Sequence, residues 1–170
     1  PVIAQQTCDR EVVTEYSSTT SRAVIQHDLT TDSNVYVSLS EGYKAGGYAT
    51  YECTEPYDPE EVTSLELGFK GSIGEGTSVN ASLFRYDYTD FQVLQVVGIQ
   101  TVTKNAGDAT VNGLEIEALS NVNDSLSINY GLTLLDATYG EFLNINGIQP
   151  ELGDQQLDGN YLTNAPKVSI

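Results

Sequence analysis

Side chains in this chain alternate two by two, and no other feature limits its folding as strongly. Leu126, Ile128, Tyr130, Leu132 and Leu134 share one parity, with Ser127, Asn129, Gly131 and Thr133 between them. Leu114, Ile116 and Ala118 alternate with Glu115 and Glu117. Leu65, Leu67 and Phe69 alternate with Glu66 and Lys70, and Val35, Val37 and Leu39 with Tyr36, Ser38 and Ser40. Successive residues of a β-strand point to opposite faces, so each run predicts an extended segment with one apolar and one polar side. Strands are expected near 18–30, 34–43, 61–71, 77–91, 109–120 and 125–139, with another beginning near Lys167. In the 77–91 run the parity switches, since Val79, Ala81 and Leu83 oppose Phe84, Tyr86 and Tyr88; a bulge or an interfacial girdle position would explain it.

The expected connections differ in length. Thr30–Asn34, Gly71–Gly76 and Ser120–Asp124 are short and rich in Gly, Asn and Asp, the residues of tight turns. The segments 43–60, 92–108 and 140–166 are expected as long loops. Short turns on one rim and long loops on the other belong to membrane β-barrels of the outer-membrane type. A soluble antiparallel sandwich also alternates, so periodicity leaves both architectures open.

The chain has 170 residues, room for one domain, and carries 24 Asp+Glu against 7 Lys+Arg, a formal charge of -17. A nucleic-acid partner needs a basic face and is not expected. No apolar run reaches the roughly 20 residues of a spanning helix. The chain has no Met and opens on Pro1, which leads us to expect a processed or excised piece of a longer protein.

Several stretches, in order, resemble the barrel of TonB-dependent outer-membrane receptors. These are Gly42-Tyr43-Lys44-Ala45-Gly46-Gly47-Tyr48, Tyr57-Asp58-Pro59-Glu60 before Ser64–Lys70, and Leu83-Phe84-Arg85-Tyr86-Asp87-Tyr88-Thr89-Asp90-Phe91-Gln92. Asn105–Ala109, Gly113–Glu117 and Gly159–Lys167 follow. The resemblance runs from about Thr30 to Ile170 and implies an all-β fold of antiparallel up-and-down strands forming part of a large transmembrane β-barrel. Under it, 1–22 is an external loop and strand entry, and 23–170 is a stretch of barrel wall. Such receptors have a plug inside a barrel of twenty-two strands; the plug, the opening strands and the closing strands find no counterpart here. The implied role is capture and import of a scarce nutrient such as a ferric siderophore, cobalamin or an oligosaccharide. Import would be energised through the TonB protein. Implied partners are outer-membrane lipid, the rest of the receptor with its plug, TonB, and a small-molecule or metal-chelate substrate. A passive pore and a soluble secreted binding or fibre module are the competing readings.

Candidate site residues follow from composition and position. Tyr48, Tyr51, Tyr57 and Asp58 in one connection, and Tyr86, Asp87, Asp90 and Phe91 near the next, combine aromatic contact area with carboxylates that orient polar ligands. An acidic, solvated outer face with interfacial tyrosines is the plainer reading of the same residues. Glu115 and Glu117 share a face and would look into a barrel lumen, lining a path or bonding to neighbouring strands or the plug. Cys8 and Cys53, the two cysteines, fall on the same rim and are expected to form a disulfide worth about 3–4 kcal/mol in the chain-entropy model, with free thiols as the alternative. Two isolated cysteines and the lone His27 lack metal-ligand spacing, so neither a metal nor a cofactor is expected. Asp87 and Asp90 could pair as glycosidase acids only by chance, and no nucleophile elbow, phosphate loop or zinc-protease helix occurs; no catalysis is expected.

Overall fold

The computed structural model describes residues 13–48, 56–97, 100–145 and 149–170. Seven strands form one antiparallel sheet: β1 (Arg22–Thr30), β2 (Ser33–Lys44), β3 (Glu60–Ser72), β4 (Thr77–Thr89), β7 (Ala109–Asn123), β8 (Leu126–Tyr139) and β11 (Val168–Ser169), neighbours in that order. Between β4 and β7 lies the hairpin β5 (Gln92–Val97) with β6 (Gln100–Asn105). Between β8 and β11 come β9 (Leu143–Ile145), a 3-10 turn Pro150–Leu152 and β10 (Asp154–Gln156). The segments 92–108 and 140–166, expected as loops, therefore carry strands of their own. The first strand starts at Arg22 rather than near 18.

Short turns close where Gly, Asn, Asp and Ser/Thr were read. Asp32 N donates to Thr30 Oγ1 at 3.2 Å, and Ser125 N donates to Asn123 Oδ1 at 2.9 Å. Gly74 and Gly76 take left-handed φ of 64° and 84° in the β3–β4 turn, a region costly for residues with a Cβ.

Register explains the alternation. Ile25, Val37, Leu67, Leu83, Leu114, Leu134 and Val168 stand side by side across all seven strands. On the opposite face the parallel row is Gln26, Tyr36, Gly68, Ser82, Glu115, Thr133 and Ser169. The apolar row is open: Ile25 is 78% exposed, Leu83 58% and Leu134 38%. No second sheet packs on it among the described residues, and no large side chain there is fully buried. The sandwich alternative needs such a cover and does not hold. Ile128 and Leu126 are also exposed, so the β8 series is not a dry core.

The β4 ladder is unbroken from Glu61↔Thr89 to Ser72↔Ser78 and from Thr77↔Ser120 to Tyr88↔Ala109. No bulge causes the parity switch. Both faces of β4 carry apolar side chains, Val79, Ala81 and Leu83 on the outer side and Phe84, Tyr86 and Tyr88 on the inner. Register shifts fall instead at Asp28/Thr30 and Asn121/Asn123.

The apolar band runs obliquely. On β2 it covers Val35, Val37 and Leu39; on β4 Val79, Ala81 and Leu83; on β8 it extends from Leu126 to Leu134. In the row of Leu39 and Leu65 the later strands present Arg85, Asn112 and Asp136. From β2 to β8 the band centre slides by about two rows, roughly 13 Å, while four strand spacings cover roughly 19 Å. Strands inclined by about 35° to the normal of the apolar band produce this slide, a tilt of the size that barrel closure demands.

Candidate functional site

Most of the buried residues sit at one end of the polar face, beside the long connections. Ala109 is 1% exposed, Ala106 and Val102 2%, Ala137 3% and Phe142 5%. Small residues on β7 and β8 leave room for rings from β4. Phe84 stacks on Tyr86 with ring centres 4.8 Å apart. A second series runs outward, edge-on from Tyr88 to Phe91 at 5.2 Å and from Phe91 to Tyr139 at 6.3 Å, and tilted by 45° from Tyr139 to Phe142 at 5.0 Å. These spacings suit edge-to-face aromatic packing, worth about 0.5–1.5 kcal/mol per pair beyond burial. The result is an aromatic collar where the polar face meets the outer connections.

Asn105 and Gln92 tie the connections to this collar. Asn105 Oδ1 accepts from Asp58 N at 2.7 Å, while its Nδ2 donates to Asp58 O at 3.0 Å and to Asp90 O at 2.7 Å. Gln92 Nε2 donates to Ala45 O at 3.0 Å and Asp58 O at 3.1 Å, and Gln92 N donates to Glu60 Oε2 at 2.7 Å. Asp90, at φ 53°, bends the chain from β4 into the β5–β6 hairpin. Pairing resumes past the bend, with Phe91 N donating to Gly107 O at 3.0 Å and Ala106 N to Phe91 O at 2.7 Å.

Of the candidate residues, the structure brings Tyr86 and Phe91 onto the polar face near the collar. Asp87 lies on the other face, ion-paired to Arg85 at 2.7 Å and accepting from Thr110 Oγ1 at 3.2 Å. Asp90 and Asp58 contribute backbone groups to the Asn105 and Gln92 bonds. Tyr57 pairs through its backbone with Gly47, Gly47 N donating to Tyr57 O at 3.1 Å and Tyr57 N to Gly47 O at 2.8 Å. Tyr48, half-buried, follows Gly47 directly. Tyr51, Cys8 and Cys53 lie outside the described residues.

Glu115 and Glu117 stand further down the polar face, exposed and without an ion pair among the described residues. They border a hollow of about 120 Å³ with Tyr36, Lys70, Asn80 and Ser82. Tyr36 donates to Glu66, and the Lys70 ammonium sits 5.4 Å from the Tyr36 ring centre. No cluster of three or more His, Cys, Asp or Glu suited to a metal occurs among the described residues.

Sequence reading did not single out Tyr139, Phe142, Asn105 and Gln92 as site residues. Tyr139 and Phe142 enter through the β7–β8 register and the fold-back of β9, which no local pattern announces. Asn105 and Gln92 lay inside the family-like stretches, and their polar amides flanking an apolar hairpin were the available signal.

Comparison with known proteins agrees with this geometry. A family model described as "TonB dependent receptor-like, beta-barrel" matches residues 5–170. The pesticin receptor of Yersinia enterocolitica is 34% identical over 95 residues, covering 53% of this chain and 14% of the receptor. Among solved structures, the ferric yersiniabactin uptake receptor FyuA from Yersinia pestis aligns with a TM-score of 0.67 at 22% identity, over 86% of this chain and 21% of that one. The siderophore receptor PiuA from Acinetobacter baumannii gives 0.65 at 23% identity, over 88% and 22%. At such identities the structures speak for the fold. The chain spans about a seventh of the curated relatives' length and about a fifth of the aligned structures'.

Proposed function

The chain belongs to the TonB-dependent receptors as a stretch of their outer-membrane β-barrel, and from that premise we propose that it forms wall and outer mouth of a receptor importing a scarce nutrient, a ferric siderophore first among the candidates. The observation that carries this reading is the aromatic collar from Tyr88 through Phe91 and Tyr139 to Phe142, on the polar face beside the long connections. A bulky, partly apolar chelate gains contact area from the part-exposed rings of Tyr88, Phe91 and Tyr139, which the buried Phe142 ring backs, and needs no ion-pair partner. Tyr48, Tyr57 and Asp58 extend the surface outward, with Tyr86 below it, and Tyr51 joins the same group by its place in the sequence. The relatives bearing ferric-siderophore names support the substrate class. Asp87 and Asp90 have smaller parts, since Asp87 faces away and Asp90 acts through its backbone.

Within the same proposal, Glu115 and Glu117 look into the lumen and meet the plug, while the plug and the segment that engages TonB belong to the remainder of the receptor. Cys8 and Cys53 join the outer connections as a disulfide. The whole of 1–170 is one partial barrel domain, 1–22 being the external entry.

Uptake of radioactive iron from a panel of ferric siderophores tests the reading, in cells whose sole such receptor is the complete protein. The expected result is saturable uptake of at least one chelate, abolished when TonB is removed. Passive, non-saturable permeation that persists without TonB would sink it.

A further inference from the structure

Three hydroxyls join in a line on the apolar flank, near the short-turn end of the sheet. Thr77 and Ser120 are direct partners across β4 and β7, their hydroxyl oxygens 3.0 Å apart, and Ser120 Oγ lies 2.9 Å from the Tyr130 hydroxyl on β8. All three share the parity of Leu83, Leu114 and Leu134, so they stand on the side assigned to lipid and not in the lumen. On β4, Thr77 comes one row beyond Val79, the last residue of the apolar band. On β8, Tyr130 starts inside the band opposite Ala118 and carries its hydroxyl one row down to Ser120. Tyr130 is 52% exposed and Thr77 and Ser120 are half-buried, so the line is open to whatever surrounds the wall.

The line is a net donor. Three hydroxyls bring three hydrogens, and their two mutual bonds use two, whichever atom donates in each. One O–H is left over in every arrangement. Water is scarce at the edge of the hydrocarbon and an unmet donor there is costly, so the acceptor comes from the lipid, whose ester and phosphate oxygens stand at that boundary. The turns beside the line are acidic. Those joining β1 to β2, β3 to β4 and β7 to β8 carry Asp32, Glu75 and Asp124, and no Lys or Arg. Glu75 is exposed, stands two residues before Thr77 and forms no ion pair among the described residues. An anionic headgroup meets repulsion here, whereas a zwitterionic one can set its cation against Glu75.

We infer that Thr77, Ser120 and Tyr130 hold a phospholipid bearing a primary ammonium. An ester or phosphate oxygen of the lipid accepts the spare O–H, and the ammonium pairs with Glu75. The inference rests on the membrane placement of the wall in the proposed function, and adds to it a fixed lipid in the leaflet on the short-turn side.

The test is native mass spectrometry of the complete, delipidated receptor, titrated with palmitoyl-oleoyl phosphatidylethanolamine or with the matching phosphatidylglycerol. The first phosphatidylethanolamine is expected to bind at least threefold more tightly than the first phosphatidylglycerol, and Glu75→Gln to abolish that preference. Thr77→Val with Ser120→Ala and Tyr130→Phe removes all three hydroxyls and should weaken the first binding of both lipids at least threefold. Tyr130→Phe alone leaves two hydroxyls, one bond and still one spare hydrogen, so its binding should stay within twofold of the unaltered receptor. Equal binding of the two lipids by the unaltered receptor, a preference for phosphatidylglycerol, or unchanged binding by the triple variant overturns the proposal; a line that merely ties the strands together would lower the melting temperature of that variant and leave its lipid binding intact. Should the triple variant fail to fold, Glu75→Gln decides, since it alters only an exposed turn and a retained preference overturns the proposal. Iron uptake is the independent readout: its survival where no lipid preference is found removes the lipid site and leaves the transport reading standing.

Discussion

Phe84 on β4 and Gly113 on β7 face each other across the sheet, and the Phe84 ring occupies the space that a Cβ on Gly113 would fill. Tyr36 covers Gly68 in the same way two strand pairs earlier. In both pairs a ring shields a neighbouring strand's backbone, and for Phe84 the ring is also the platform on which Tyr86 stacks. Gly113→Val is therefore expected to destabilise the complete receptor by about 1–3 kcal/mol through overpacking. In combination with Phe84→Ala, the cost of adding Val should fall by more than half, because the clashing ring is gone. Temperature-dependent migration of the folded barrel on electrophoresis reads both values; additive effects would mean that the ring and the glycine act independently.

Asn105 holds Asp58 and Asp90 in a single set of three hydrogen bonds. Asn105→Ala removes all three, and the local structure should weaken by about 1–3 kcal/mol. Hydrogen exchange at the Asp58 amide should accelerate by at least tenfold. Asn105→Asp keeps an acceptor for Asp58 N but sets a carboxylate against two carbonyls, so it should fail to rescue. Protection restored by Asp would show that the two donated bonds contribute nothing.

Depth in the bilayer follows from the oblique band. On β8, Leu132 lies within the band and Asp136 above it, on the same face. Leu132→Arg should cost about 2–4 kcal/mol of folding stability in vesicles and Asp136→Arg about 0–1 kcal/mol, the known depth dependence for arginine on a barrel's lipid face. Equal costs at the two positions would contradict the band's placement.

Glu115→Gln combined with Glu117→Gln tests their proposed contact with the plug. Both carboxylates are exposed in this chain alone, so barrel folding should be unchanged. Uptake of the cognate chelate should fall at least threefold, with saturation still reached at the same external concentration if the outer mouth is intact. Unaltered uptake would assign the pair to solvated wall positions.

Much of the wall was legible because period two survives wherever one side of a strand meets hydrocarbon and the other meets polar surroundings. Leu114, Ile116 and Ala118 against Glu115 and Glu117 need no tertiary information. Tight turns at Thr30–Ser33 and Asn123–Leu126 were legible for a local reason, since Thr30 and Asn123 bond to their own backbone two residues on. Legibility ended where packing was long-range. Phe84, Tyr86 and Tyr88 are apolar against a face that is polar lower down, so parity alone left a bulge and a girdle position open, and the unbroken ladder removes the bulge. Among the described residues the β5 and β6 strands pair only with each other, the hairpin they form begins on Gln92 and ends on Asn105, and β9 and β10 have three residues each, too short for any period. Asn105 and Gln92 act through partners fifteen to forty-seven residues away.

The central claim is that the apolar flank of the sheet faces lipid and the polar flank faces water, and spin labels placed singly from 127 to 134 in the complete receptor, in vesicles, test it most directly. Oxygen accessibility should peak at 128, 130, 132 and 134, and accessibility to a water-soluble nickel complex should be low at all four. Labels at 127, 129, 131 and 133 should show less oxygen contact. Even-numbered labels shielded from oxygen, or no alternation along the strand, would contradict the account.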